Sequence, residues 1–300
     1  MPAGAAVRIV LRFLLDEMVA NEPGTRHGRD EEPLHQFRVA SRSARSVLRH
    51  AGDTLPAKRA GKVSAGLAWL ATLTGPARDL DVHLLQLPQD QDLDPLRILL
   101  LGRRDAARGA LLGGLDSPRY QTLIRRWSAL AADAPARHGK ARRPAGPVVD
   151  AYISAAHGRV LDLAAAIHPG SSPEDLHRLR KRAKALRYLL ENFRALYPAV
   201  PWKAAVGELK SLQDTLGEYQ DCQVQAHLLS AVASLTDHPA APAARRILAD
   251  LEGRRERSRA EAATRSQRFA SLAVTELFRQ LYQPTSAASL GRPHPTRSGA

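Results

Sequence analysis

From Leu34 onward, apolar and small residues recur at Phe37, Ser41, Ala44, Leu48 and Ala51. That 3,4,3,4,3 spacing places them on one face of a helix. The same period runs through Leu176, Leu179, Ala183, Leu186, Leu190 and Phe193. Helical periodicity of this kind extends from end to end without an alternating strand pattern, which predicts an all-α protein. Proline and glycine clusters at 22–28, 134–147, 168–173 and 197–201 fall between the periodic stretches and read as breaks. Gly75 with its following residues, and Gly217 likewise, predict tight helix-to-helix junctions, with Asp79 and Asp221 in the first turn of the next helix.

The two sides of the mid-chain cluster repeat one another. Adding 142 carries Leu34, His35, Arg38, Arg42, Arg45 and Leu48 onto Leu176, His177, Arg180, Lys184, Arg187 and Leu190. The same offset carries Gly75, Asp79 and Val82 onto Gly217, Asp221 and Val224. A constant offset over two separated blocks indicates a tandem duplication. The expected organisation is a first helical repeat over 5–133, a linker over 134–147, a second repeat over 148–283, and a disordered tail over 284–300 that has too little apolar content to pack. Two such units are expected to pack about a pseudo-twofold axis.

Charge changes the picture from a generic helical protein to one with a polyanionic partner. The 300 residues carry a formal net charge of +14, with 44 Lys and Arg against 30 Asp and Glu, a balance that suits nucleic acid, a phosphate polymer or an anionic surface. In the first repeat, His35, Arg38, Arg42, Arg45 and Arg49 follow the spacing of the apolar face one residue later. One residue is about 100° of rotation, so this stripe flanks the core face instead of opposing it. It extends roughly 21 Å at the helical rise, and no carboxylate lies between Pro33 and Gly52. The second repeat has the same row at His177, Arg180, Lys184 and Arg187. Such rows need counter-charges; Asp79, Asp81 and Asp221 are too few to neutralise both.

Other chemistry is weakly represented. Cys222 is the one cysteine, so neither an intrachain disulfide nor a cysteine-built metal site is possible. That usage suits a reducing cytoplasm. No apolar run approaches the ~18 residues of a membrane span, and the segment 7–15, broken by Arg8 and Arg12, reads as an amphipathic helix instead of a secretion signal. Glu32 with His35 and Glu174 with His177 have the Glu-x-x-His spacing of di-metal bundles. The cations that follow each pair oppose a bound dication, so no metal or other cofactor is expected. There is no Gly-rich phosphate loop and no nucleophile elbow. Aromatics do not interleave with the cations as base-stacking platforms would, and Trp69, Trp127 and Trp202 read as core.

Four stretches resemble a known family: LHQFRVASRSARSVLRH at 34–50, LAWLATLTGPARDLDV at 67–82, LHRLRKRAKALRYLLENF at 176–193 and LKSLQDTLGEYQDCQV at 209–224. In that order they resemble the CHAD proteins, the conserved-histidine α-helical domain. The resemblance implies two four-helix bundles related by pseudo-twofold symmetry. It also implies non-enzymatic binding of inorganic polyphosphate in a basic groove between them, with some members associated with polyphosphate granules. Carried over, the phosphate contacts are His35, Arg38, Arg42 and Arg45 with His177, Arg180, Lys184 and Arg187, joined by Lys181 and Lys210. The family commonly has consecutive basic residues where this chain has Arg42-Ser43, and a basic residue where it has Ala68. Arg49, Arg59 and Lys62 are the expected compensation. Nucleic acid is expected only as a weaker competitor, and charge reversal at Arg38 and Arg180 is expected to remove binding with helical content intact. Two other readings stay open: an RNA- or DNA-binding scaffold, and a metal-dependent polyphosphate hydrolase using Asp79, Asp81 and Asp221.

Overall fold

The computed structural model describes residues 1–133, 139–235 and 237–282; the first five residues of the expected linker and the expected tail lie outside the described residues. The described residues form ten α-helices joined by turns and short 3-10 segments, with no β-strand among them. The helices are α1 (Ala3–His27), α2 (Glu32–Ala51), α3 (Ala57–Gln86), α4 (Asp94–Asp116), α5 (Pro118–Ala132), α6 (Ala145–Ala166), α7 (Pro173–Asn192), α8 (Ala199–Ala233), α9 (Ala241–Phe269) and α10 (Leu272–Tyr282). Since α6 begins at Ala145, the last three residues of the expected linker are helical.

The starts of the two stripe-bearing helices follow from their sequences. Pro33 sits in the first turn of α2, where its missing N–H has no partner to lose. Pro173 does the same in α7, behind Ser172, which exchanges hydrogen bonds with Asp175 in a capping box. Gly28 ends α1 at φ 63°, and its N–H donates to the Gly24 carbonyl at 2.9 Å. The left-handed φ favours glycine there, and the Arg108 guanidinium lies over the space a Cβ would occupy.

Several expected breaks are not breaks. Pro23 lies inside α1, α3 runs through Gly75-Pro76, and α8 runs through Gly217. Asp79 and Asp221 therefore sit in the interiors of long helices instead of in a first turn. An internal proline costs a helix about 3 kcal/mol or more and a glycine about 1 kcal/mol. The flanks of α3 outweigh this by burying Val63, Leu67, Leu70, Ala77 and Leu80.

One main core spans both halves of the chain, with Leu11, Leu34, Phe37 and Trp127 from one half and Ile153, Leu179, Leu186 and Phe278 from the other. Trp127 is fully buried and its Nε1 donates to the Leu11 carbonyl at 3.0 Å. Trp69 and Trp202 are only partly buried, each with an arginine over its ring. A smaller core, including Leu96, Leu100, Leu229 and Ala244, joins α4 to α8 and α9.

Among the contacts that connect the halves, two position the candidate site. At the helix starts, the Ala3 N–H donates to the Arg143 carbonyl at 2.8 Å and the Ala145 N–H donates to the Met1 carbonyl at 3.0 Å. Each donor and each acceptor is 142 residues from its counterpart. Further in, α2 packs on α7 at small buried residues: Ser46 Oγ donates to the Ala185 carbonyl at 3.1 Å, and Asn192 Nδ2 donates to Ser43 Oγ at 2.6 Å. Small side chains at a helix crossing let the backbones approach closely. This brings the flanking cationic rows together.

Candidate functional site

Where α2 meets α7, a cavity of about 290 Å³ is lined by Arg42, Arg45 and Arg49 from one helix and by His177, Arg180, Lys181 and Lys184 from the other. Ser46, Ala71, Ala185 and Tyr188 supply its apolar and hydroxyl surface. Most of each stripe therefore faces one space. A second cavity, of about 410 Å³, lies on the other side of Arg180 and Lys184, which line both. It adds Arg187 from α7, several polar residues of α8, and Arg254 from α9.

The cations in the first cavity are largely without internal counter-ions. Arg42, Arg45, Arg49, Lys181 and Lys184 form no hydrogen bond or ion pair among the described residues. Their mutual repulsion is visible in their acidities. Burial, then Arg180, Arg42 and Arg187, bring the Lys184 ammonium down to about 7, while Asp221 alone pulls it upward. Burial, Arg45 and Arg182 likewise lower Arg49. The neighbouring acids relieve only the edge of this field: Arg180 lies 4.0 Å from Asp221 and Arg187 lies 3.5 Å from Glu191. Neither contact satisfies the buried Nε of its arginine. Burial in turn raises Asp221 and Glu191, with the adjacent cations opposing.

The remaining candidate residues lie elsewhere. Arg38 is buried, 5% exposed, and its Nη1 donates to Thr74 Oγ1 of α3 at 2.7 Å. It braces α2 against α3 and lines neither cavity. Burial, with Arg42 adding, lowers it to about 10. His35 is half-buried beside Arg78, and burial, Arg78, Arg42 and Lys184 lower its imidazole. Lys210 is exposed and acts on Glu191. Of the expected compensating cations, Arg49 does line the first cavity, but Arg59 is paired with Asp133 at 2.5 Å and Lys62 reaches neither cavity. His177 holds Gln220 Oε1 at 2.6 Å through Nδ1, which leaves Nε2 available to a ligand.

The sequence reading missed Arg254, whose neighbours Arg255, Glu256 and Arg257 make α9 look like a solvated mixed-charge helix. Arg78, next to Asp79 in α3, lies close enough to His35 and Arg38 to lower both. Among the described residues no group of three or more His, Cys, Asp or Glu side chains is placed to hold a metal ion. No helix among them is long and apolar enough to cross a membrane.

Fold and site together define an all-helical protein that concentrates unpaired cations between two crossing helices. A family model, the CHAD domain, matches residues 9–230, and the chain belongs to that family. Two uncharacterised proteins of Mycobacterium tuberculosis, MT2285 of strain CDC 1551 / Oshkosh and Rv2226 of strain ATCC 25618 / H37Rv, are each 31% identical to it over 233 residues. Those matches cover 68% of this chain and 42% of each relative, so the chain spans less than half the length of the curated relatives. Among solved structures, the CHAD domain from the plant Ricinus communis superposes with a TM-score of 0.68 at 27% identity, covering 94% of this chain and 93% of that one. PptA from Streptomyces chartreusis shares the fold, with a TM-score of 0.71 at 18% identity, over 89% of this chain and 100% of its own.

Proposed function

We propose that this protein binds inorganic polyphosphate, without catalysis and without a cofactor, along the cations gathered between α2 and α7. The observation that carries this reading is the pair of rows facing one cavity with five of its cations unpaired. A linear chain of anionic oxygens is the counter-ion this arrangement lacks. Arginine forks grip phosphate oxygens in pairs, and lysines add mobile point charges. The space offers no aromatic platform for bases beyond Tyr188, which favours a bare phosphate chain over nucleic acid. Association with polyphosphate granules in the cytoplasm would follow from such binding.

The same reading includes a pseudo-twofold arrangement of two repeats. Support comes from the reciprocal bonds at Ala3 and Ala145, and from the packing of Ser43 and Ser46 near Ala185, 142 residues beyond Ser43. Under that symmetry Arg42 and Lys184 are equivalent positions. They face each other closely enough for Arg42 to lower the Lys184 ammonium.

Isothermal titration with polyphosphate of defined lengths tests the proposal. Affinity should fall steeply with salt, roughly a thousandfold between ~0.05 and ~0.2 M if about six phosphates are neutralised. At ~0.15 M salt, long-chain polyphosphate should displace bound RNA, and no phosphate should be released with or without a divalent metal. RNA winning that competition, or metal-dependent phosphate release, would overturn the reading.

A further inference from the structure

The second cavity differs in chemistry from the first, although the two share Arg180 and Lys184. Its cations are Arg180, Lys184, Arg187 and Arg254; its carboxylates are Asp214, Glu218 and Asp221, and the amides of Gln86, Gln213 and Gln225 complete its polar lining. Arg187 Nε lies 3.5 Å from Glu191 Oε1, whereas Arg180 Nε is buried without a hydrogen-bond partner. So is Gln213 Oε1, on a side chain 3% exposed. Gln213 Nε2 donates to the Ala183 carbonyl at 2.8 Å, which fixes the amide and leaves Oε1 with no donor. Buried polar atoms are rarely left unpaired, and the mixed lining of cations and carboxylates beside them suits a ligand that both accepts and donates.

Interior units of a phosphate chain only accept. A terminal phosphate is different, because its second ionisation falls near neutral pH, about 6 for a phosphomonoester. It therefore presents anionic oxygens to the cations and a P–OH to an acceptor. The volume of about 410 Å³ lies within the range of ligand pockets. Most of the acceptors come from the second half, with Gln86 of α3 the contribution of the first. Positions 142 residues earlier than Gln213, Asp214 and Glu218 are Ala71, Thr72 and Pro76, and the one corresponding to Arg254 is Leu112.

We infer that the cavity among α7, α8, α9 and the end of α3 is a terminus-recognition site, in which the end phosphate of a chain sits while the following units run past Arg180 and Lys184 into the cavity between α2 and α7. This rests on the polyphosphate reading above and adds a polarity to it: the chain enters end-first, and Arg254 with Glu218 selects the end.

Titrating long polyphosphate of two defined lengths counts proteins per chain. Terminus recognition gives one protein per chain end whatever the length. Linear tripolyphosphate should displace the long chain, whereas tetrametaphosphate, a ring of comparable charge without termini, should not; orthophosphate, which has no chain to follow the end, should compete weakly. Arg254→Ala and Glu218→Gln, both at exposed positions, should each weaken tripolyphosphate binding about tenfold, with circular dichroism unchanged. Occupancy growing in proportion to chain length, with ring and linear forms equal, would overturn the inference while leaving polyphosphate binding intact. Failure of every chain to bind would remove the reading beneath it.

Discussion

The Asn192 amide of α7 donates to the Ser43 hydroxyl of α2 at 2.6 Å, at a buried point where the two cationic helices cross. Ser43 is the position at which the resemblance to the CHAD proteins leads one to expect a second consecutive basic residue. Here its side chain is 4% exposed and faces the partner helix, so no volume remains for a long cation. Restoring the pair with Ser43→Arg should therefore not strengthen polyphosphate binding. It should insert an unpaired charge into the crossing and cost several kcal/mol. Chemical denaturation of the variant checks this; equal or greater stability would show that the crossing has more room than the Ser43–Asn192 bond implies.

Charge reversal separates brace from ligand contact. Arg38 and Arg42 lie four residues apart on one stripe, yet Arg38 is buried on Thr74 and Arg42 is exposed and unpaired. Arg38→Glu should lower stability by about 3 kcal/mol or more through a buried carboxylate facing a lost partner. Arg42→Glu should leave the melting temperature within a few degrees and weaken polyphosphate at least tenfold. Paired melting curves and titrations decide it. A stable Arg38→Glu variant that loses binding would return Arg38 to the contact set, as the sequence pattern had it.

That contrast shows what the pattern carries and what it does not. The helical period and the duplicated rows were legible because apolar spacing reports which face is buried. Four residues of helix advance the direction of a side chain by about 40° beyond a full turn, and along a crowded rim this is enough to bury Arg38 and expose Arg42. A single-helix pattern has no register for that. The convergence of the rows depended on Ser43, Ser46 and Ala185, whose small size gives no signal until the facing helix is known. Gly75-Pro76 misled for the opposite reason: local propensity was read correctly, but the buried leucines on either side of it outweigh it. Arg254 comes from a helix far away in sequence, and nothing local distinguishes it from its solvated neighbours.

Acid stability should turn on a histidine outside the site. The His157 ring stacks on Phe278 with centroids 3.8 Å apart, Nε2 has no partner, and burial lowers its imidazole to about 4. Between pH 6.5 and about 4 the unfolded chain binds the proton that the folded chain refuses. Stability from this group is therefore complete above 6.5 and is lost as pH falls towards 4, by roughly 3 kcal/mol in all. His157→Gln should be less stable at pH 7 but should show a flatter decline across that window. An unchanged slope would assign the acid sensitivity to other groups.

Binding should be coupled to proton uptake at Lys184. The residue faces Arg180, Arg187 and Asp221 from α7 and α8 and Arg42 from α2, and it influences His35. In the free protein its ammonium titrates at about 7; a phosphate chain laid beside it favours the charged form and raises that value. Above pH 7 the complex therefore holds a proton that the free protein lacks, and Lys184 makes affinity decline as pH rises, by at most roughly tenfold per pH unit. Below pH 7 this contribution is flat, since both states are protonated. The sign for folding is opposite: the unfolded chain keeps its lysine proton to about 10.5, so the stability burden of Lys184 is full below 7 and is relieved as pH rises towards 10.5. Titration at pH 8 in buffers of different ionisation enthalpy should count protons taken up per protein, and Lys184→Met should lower that count while raising the stability of the free protein. An unaltered proton count in Lys184→Met would place the uptake on other groups and show that Lys184 stays out of the chain's reach.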